Sequence, residues 1–164
     1  KSTELLRRSK RYRAIGKNVL LINHINDIRT TNKIKTHCNN TENAIKISKL
    51  NSLFSNESFK QADVIGIDEA QFFDDLYLFI TEVEKYNKII IIAGLDGDSD
   101  RKPFGQILQC IPYCDEVVKL TALDMMDKDG SLAIFTKRIV DEKAQILVGS
   151  TEYFMAVSRK NYLK

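Results

Sequence analysis

Two acidic residues follow an apolar run in the middle of the sequence. The run Val64–Ile67 is continuously apolar and mostly β-branched, which is typical of a strand covered on both faces, and Asp68 and Glu69 come directly after it. Carboxylates at the end of a buried strand are costly unless they are paired or bind a cation, and ligands of open α/β sheets bind beyond the carboxyl ends of the strands. Magnesium and phosphate chemistry accounts for both the acidic residues and their position at a strand end. In this interpretation Asp68 lies in the Mg²⁺ shell, and Glu69 accepts a proton from the group that attacks the phosphate. The structural alternative is an acidic pair that caps the following helix.

The first residues of the sequence have the types needed to contact phosphates. Lys1, Ser2 and Thr3 match the last letters of the phosphate-loop pattern GxxxxGK[ST], in which Lys reaches the outer phosphates and Ser or Thr ligates Mg²⁺. Three letters carry little information alone. However, the end of a phosphate loop followed by a helix, a strand and an acidic strand end is the order of elements that a P-loop phosphotransferase requires.

The elements that must position these residues alternate between helical and apolar extended patterns. The predicted helices cover residues 2–15, 41–54 and 74–86, and the predicted strands cover residues 19–23, 64–68, 89–95, 117–120, 132–136 and 145–148. A strand, a helix and a second strand in succession form a crossover unit of a parallel sheet. The sequence therefore predicts one α/β domain over residues 1–120 and a small lobe over residues 121–164.

Composition narrows the class of protein. The chain has 164 residues, 43% of them hydrophobic and 29% charged, with a net charge of +3, which suits a folded domain rather than a disordered or strongly basic one. Because there is no long apolar run and no secretory signal, we expect a cytoplasmic protein. The cysteines Cys38, Cys110 and Cys114 form no CxxC pair, which favours reduced thiols.

Further motifs along the whole chain resemble the type II thymidine kinases of animals, bacteria and large DNA viruses. These motifs are Lys1 to Arg8, Asp27 with Arg29, Thr36-His37, Val64 to Phe73, Leu95-Asp96-Gly97, Arg101 to Gly105, Val117 to Ala122, Thr136-Lys137-Arg138 and Tyr153. The resemblance implies a P-loop NTPase-like (RecA-like) parallel sheet flanked by helices, with a small C-terminal β or lasso lobe covering the nucleoside site. It also implies that the first strand and most of the phosphate loop precede Lys1.

The same resemblance implies an activity and a set of site residues. The activity is transfer of the ATP γ-phosphate to the 5′-hydroxyl of thymidine or deoxyuridine in deoxynucleoside salvage, with ATP and Mg²⁺ and without nucleic acid or membrane partners. Relatives are typically homotetramers. The implied residues are Glu69 as general base; Lys1, Ser2, Thr3, Asp27, Arg29, Asp68 and Gln71 at ATP, with Ser2 and Asp68 at Mg²⁺; and Phe72, Phe104, Leu95, Thr136, Val148, Gly149 and Tyr153 at the nucleoside.

The sequence departs from the family in its small lobe. Family members usually hold this lobe with a zinc ion bound by two CxxC pairs. The matching positions here are Asp124, Asp127, Ser158 and Asn161. Because Ser and Asn are poor zinc ligands, we predict that no structural zinc is bound. Ser99 also stands where many relatives have an aromatic residue near the base.

Two other functions compete with the kinase. Asp68-Glu69-Ala70-Gln71 also resembles the DExx motif of P-loop ATPases and helicases, in which the Glu orients a water molecule. A helicase needs a second motor domain, for which 164 residues leave no room. The other alternative is a non-catalytic relative that kept the fold as an assembly or regulatory subunit, although the retained Glu69 argues against it.

Overall fold

The computed structural model describes residues 1–27, 32–36, 40–140 and 153–164. The chain forms two compact units. The first contains Lys1–Asp96 and Phe104–Cys114, and the second contains Gly97–Pro103 and Asp115–Lys164. Within the described residues, no helix has both the length and the apolar character needed to cross a membrane.

The first unit is built on a four-stranded parallel sheet with the order β4-β1-β5-β6. Its strands are β1 (Val19–His24), β4 (Ile45–Ile47), β5 (Val64–Ile67) and β6 (Ile89–Ile92). The register places Ile22 beside Ile67 and Ile67 beside Ile92. Since all four strands run in one direction, the residues that follow β1, β5 and β6 meet at the same edge of the sheet.

Helices cover both faces of this sheet. They are α1 (Ser2–Ala14), α2 (Glu57–Gln61), α3 (Leu76–Val83) and α4 (Ile107–Cys110). On one face, Leu5 of α1 packs with Leu21, and on the other, Ile22 belongs to a core with Phe59 and Phe79. Gly66 allows close packing of α1 and β1, because a Cβ there would lie 3.1 Å from Leu5 Cδ1 of α1 and 2.7 Å from Leu21 Cδ2 of β1. The predicted α/β class with a parallel, helix-flanked sheet is therefore confirmed.

The predicted helix over residues 41–54 is wrong. The structure has β3 (Thr41–Asn43) paired with β2 (Lys33–Lys35), then β4, then a 3₁₀ turn over Leu50–Ser55. The apolar residues of this segment fit helical spacing, but pairing of β4 with β1 stabilises extended backbone instead. The helices predicted over 2–15 and 74–86 are confirmed in α1 and in α3 with its 3₁₀ extension at Glu84–Tyr86.

The second unit is made of short antiparallel pairs. They are β7 (Ala122–Leu123) with β8 (Leu132–Ala133), and β9 (Phe135–Arg138) with β10 (Phe154–Val157), followed by the helix α5 (Arg159–Tyr162). The strand predicted at 117–120 is wrong, since those residues have no regular structure and Val117 is 59% exposed. The strand predicted at 145–148 lies outside the described residues.

Candidate functional site

The acidic pair lies in a tight turn at the carboxyl end of β5. Asp68 is 1% exposed, and its backbone N–H donates to the carbonyl of Ile22 at 2.9 Å. Glu69 adopts left-handed backbone angles of φ 50° and ψ 40° and precedes a 3₁₀ turn. A residue other than glycine is uncommon in this region, and such conformations concentrate at functional sites. The turn leaves Glu69 half-buried between the buried residues Asp68 and Ala70.

Gln71 connects this turn to the loop after β6. Its Nε2 donates to Glu69 Oε2 at 2.7 Å, and its Oε1 accepts a hydrogen bond from the backbone N–H of Leu95 at 3.0 Å. Gln71 is itself buried. One amide therefore fixes both the predicted base and the backbone of a predicted nucleoside residue, while the role predicted for Gln71 at ATP stays a prediction.

Aromatic rings lie beside the acidic turn. Phe72 contacts Phe104 edge to face, with ring centroids 5.7 Å apart, and it also contacts the His24 ring at 5.6 Å. Gly105 brings Phe104 close to the turn, because a Cβ on this glycine would lie 2.2 Å from the carbonyl oxygen of Gln71. The two rings predicted to flank a base are thus neighbours in the first unit.

The start of α1 packs against the end of β5. Leu5, in the first turn of α1, is buried, and its Cδ1 would lie 3.1 Å from a Cβ on Gly66, two residues before Asp68. Ser2 and Thr3 occupy the first turn of α1, which contains 13 residues. The predicted phosphate-binding end of the helix and the predicted base therefore belong to one region of the first unit.

Two further residues, Asp27 and Arg29, are predicted to lie at ATP, and the structure describes the first of them. Asp27 is buried, its carboxylate accepts a hydrogen bond from Asn23 Nδ2 at 2.8 Å, and its backbone carbonyl accepts one from Lys46 Nζ. Arg29 lies outside the described residues. The contact of Asp27 with phosphate stays a prediction.

The remaining predicted nucleoside residues belong to the second unit. Thr136 lies opposite Ala156 in the β9–β10 pair, and the carbonyl of Tyr153 accepts a hydrogen bond from Ile139 N–H at 3.0 Å. Val148 and Gly149 lie outside the described residues. Their roles at the base stay predictions.

No catalytic or binding role is predicted from the sequence for His24 or Gly105. His24 is 5% exposed, its Nδ1 accepts a hydrogen bond from Asn26 N–H at 3.0 Å, and its ring meets Phe73 edge to face at 4.6 Å. One signal was present for His24: it ends the strand that neighbours β5 in the sheet. The sequence carries no such signal for Gly105, because its close approach to Gln71 arises only from tertiary packing.

The donor set at this sheet edge fits a magnesium–triphosphate ligand. Carboxylate and hydroxyl oxygens are the ligands that Mg²⁺ prefers, and it usually binds one or two protein groups together with phosphate oxygens. Asp68 supplies a buried carboxylate at the strand end, and Ser2 supplies a hydroxyl at the start of α1. A parallel α/β unit with this edge belongs to the class of P-loop-like nucleotide-binding proteins.

Comparisons with known proteins identify the family within that class. The thymidine kinase family model matches residues 1–162. The chain is 43% identical over 164 residues to the thymidine kinase of Yaba monkey tumor virus (strain VR587), covering 100% of this chain and 88% of that protein. It is 40% identical over 163 residues to the thymidine kinase of Vaccinia virus (strain Western Reserve), covering 99% and 90%. The thymidine kinase of Sheeppox virus (strain KS-1) is 41% identical over 163 residues, covering 99% and 89%. The chain belongs to the thymidine kinase family, which confirms the resemblance drawn from its motifs.

Proposed function

We propose that this chain is an ATP-dependent thymidine kinase that transfers the γ-phosphate to the 5′-hydroxyl of thymidine or deoxyuridine. The observation that carries the proposal is the position of Glu69, which lies at the end of β5, is hydrogen-bonded by Gln71, and follows the strand against which the first turn of α1 packs. Family membership supports the substrate, because the relatives are named thymidine kinases.

In this proposal Glu69 is the general base. Gln71 donates to Glu69 Oε2 and thereby fixes the orientation of the carboxylate, which accepts the proton of the nucleoside hydroxyl as that oxygen attacks phosphorus. ATP with Mg²⁺ supplies the phosphoryl group and the neutralising cation. Ser2 and Asp68 are the residues that would hold the cation, with Lys1, Thr3, Asp27 and Arg29 near the phosphates.

The base is proposed to bind against apolar and aromatic surface. Phe72 and Phe104 provide rings beside the catalytic turn, and Leu95 is held there through its backbone contact with Gln71. Flat heterocycles favour such walls with a few fixed polar groups. We further propose, from the family alone, that the enzyme is cytoplasmic and homotetrameric.

The test is Glu69→Gln in the full-length protein. Because Gln cannot accept the hydroxyl proton, we expect the rate of thymidine phosphorylation to fall by about 10²- to 10⁴-fold. The matched control is Glu82→Gln on α3, where the carboxylate forms a solvent-exposed ion pair with Lys85. Turnover of radiolabelled thymidine measures the effect, and calorimetric binding of thymidine checks that the site is intact. If Glu69→Gln turns over at the rate of the control, Glu69 is not the base.

A further inference from the structure

The four positions that match the zinc cysteines of the family converge on one buried carboxylate. Asp124 follows β7 and is 2% exposed. Its Oδ2 accepts hydrogen bonds from the backbone N–H of Ser158 at 2.6 Å and from Asn161 Nδ2 at 3.0 Å. Residues separated by more than thirty positions in the chain are thereby joined.

The other oxygen of Asp124 organises its own loop. Oδ1 accepts from the backbone N–H groups of Met126 at 2.7 Å and Asp127 at 3.0 Å. A carboxylate offers about four acceptor positions, and these four N–H groups together with the Ser158 side chain leave none of them free. Hydrogen bonds to the charged form, with the Ser158 side chain as the largest cause, hold the pKa of Asp124 well below its usual range. We call these contacts the Asp124 network.

The Asp124 network joins the loop to the last helix and strand of the second unit. Ser158 Oγ accepts from Asn161 N–H at 3.4 Å and so caps α5. Met125 N–H donates to the Ala156 carbonyl of β10 at 3.0 Å. Lys137 Nζ of β9 donates to the Asn161 carbonyl at 2.8 Å. The network therefore connects the same segments that two CxxC pairs would connect through a metal.

The donor set does not fit zinc. A structural site needs four ligand atoms with available lone pairs in tetrahedral arrangement. Both Asp124 oxygens already accept two hydrogen bonds each, and Asn161 presents N–H rather than an acceptor to this carboxylate. Within the described part of the chain no donor reaches Asn161 Oδ1, which is buried, but one amide oxygen is far short of four ligands.

We propose that the Asp124 network replaces the zinc of the family and holds the second unit without a metal. The proposal does not depend on the catalytic activity. It has a corollary: because the four positions still converge, cysteines placed at all four should form a zinc site.

The first experiment compares Asp124→Asn with Asp127→Asn in the full chain. Asparagine is nearly isosteric with aspartate, but at position 124 it turns an NH₂ group toward other N–H donors, so we expect the melting temperature to fall by about 5 to 10 °C. The Asp127 carboxylate forms an ion pair with the exposed Lys160 at 3.3 Å, and such pairs contribute little stability, so its variant should melt close to the wild type. Equal melting temperatures for Asp124→Asn and the wild type would overturn the proposal.

The second experiment measures the metal itself. We expect elemental analysis of the wild-type protein to give far less than one zinc per chain, and a chelator to leave its melting temperature unchanged. The variant with Asp124, Asp127, Ser158 and Asn161 all replaced by Cys should bind one zinc per chain and lose its added stability to the chelator. Stoichiometric zinc in the wild type, or a four-cysteine variant that takes up none, would contradict the replacement.

Discussion

At the scale of single residues, Gln71 is as informative as Glu69. A left-handed backbone costs a residue other than glycine about 1 to 2 kcal/mol, so the surrounding contacts must hold Glu69 in place. Gln71 supplies such a contact because its two amide atoms act in opposite senses, with Nε2 donating to Glu69 and Oε1 accepting from Leu95. A side chain with acceptors only could not do both.

Gln71→Glu tests this arrangement. The variant keeps an acceptor for Leu95 N–H but places a second negative charge where a donor now lies 2.7 Å from Glu69 Oε2. A neighbouring negative charge favours the protonated carboxyl, so we expect at least a 10-fold lower rate at pH 7 and an acidic limb of the pH–rate profile moved to higher pH. The control is Gln106→Glu, whose Oε1 accepts from Tyr77 N–H at 2.8 Å. Superimposable pH–rate profiles for Gln71→Glu and the wild type would contradict the role of Gln71.

At the scale of elements, the sequence pattern predicts best where a strand is a continuous apolar run. β5 and β6 are such runs and both were predictable as parallel strands, but only β5 is buried on both faces, since β6 lies at the edge of the sheet and Ile89 is exposed. The conformation of residues 41–54 was not predictable in this way, because it depends on pairing with β1 and β2, which lie elsewhere in the chain. The site follows the same rule: Glu69 stands out at a strand end, whereas the contact of Gly105 with Gln71 exists only after folding.

Gly105→Ala tests how closely the loop after β6 must approach the catalytic turn. Gly105 has φ +60°, and a Cβ there would lie 2.2 Å from the Gln71 carbonyl oxygen. Gly16 is the matched control, since it has φ +81° and nothing within 4 Å. Both alanine variants should lose about 1 kcal/mol of stability from the backbone conformation, measured by urea unfolding. The Gly105 variant should lose more stability than the Gly16 variant, because Gln71 must move. For the same reason it should lose most of its kinase activity. Equal losses of stability and activity in the two variants would show that the close approach is unimportant.

At the scale of the whole molecule, the chain passes between its two units within one motif. Arg101, Lys102 and Pro103 belong to the second unit, and Phe104 and Gly105 belong to the first. In the second unit, the Arg101 guanidinium stacks over the Tyr162 ring at 4.6 Å, and Tyr162 Oη donates to the Ser99 carbonyl at 2.6 Å. This segment of the family motif is therefore fixed by residues near the end of the chain, a pairing that no local pattern reveals.

The stability of the molecule should depend on pH in two separate ranges. Burial lowers the pKa of His24 from its usual 6.5, although the Ser48 backbone and the charges of Asp74 and Asp75 act in the opposite direction. Below pH 6.5 the unfolded chain then binds a proton that the folded chain does not, so the free energy of unfolding falls as the pH falls. Hydrogen bonds from Arg7 and Arg8 lower the pKa of Glu4 to about 2, so its contribution is present above its unfolded pKa, near 4.3, and is lost only as the pH falls toward 2.

His24→Asn separates the two ranges. Asparagine Oδ1 can accept from Asn26 N–H as His24 Nδ1 does at 3.0 Å, but it does not titrate. Urea unfolding between pH 7 and 5 should show the wild-type free energy falling by at most about 1.4 kcal/mol per pH unit from this proton, while the variant changes less. Both proteins should lose stability together below pH 4, because Glu4 and Asp124, whose pKa values are lowered in the folded chain, are present in each. A wild type and variant with the same slope between pH 7 and 5 would show that His24 is not buried in its neutral form between Phe72 and Phe73.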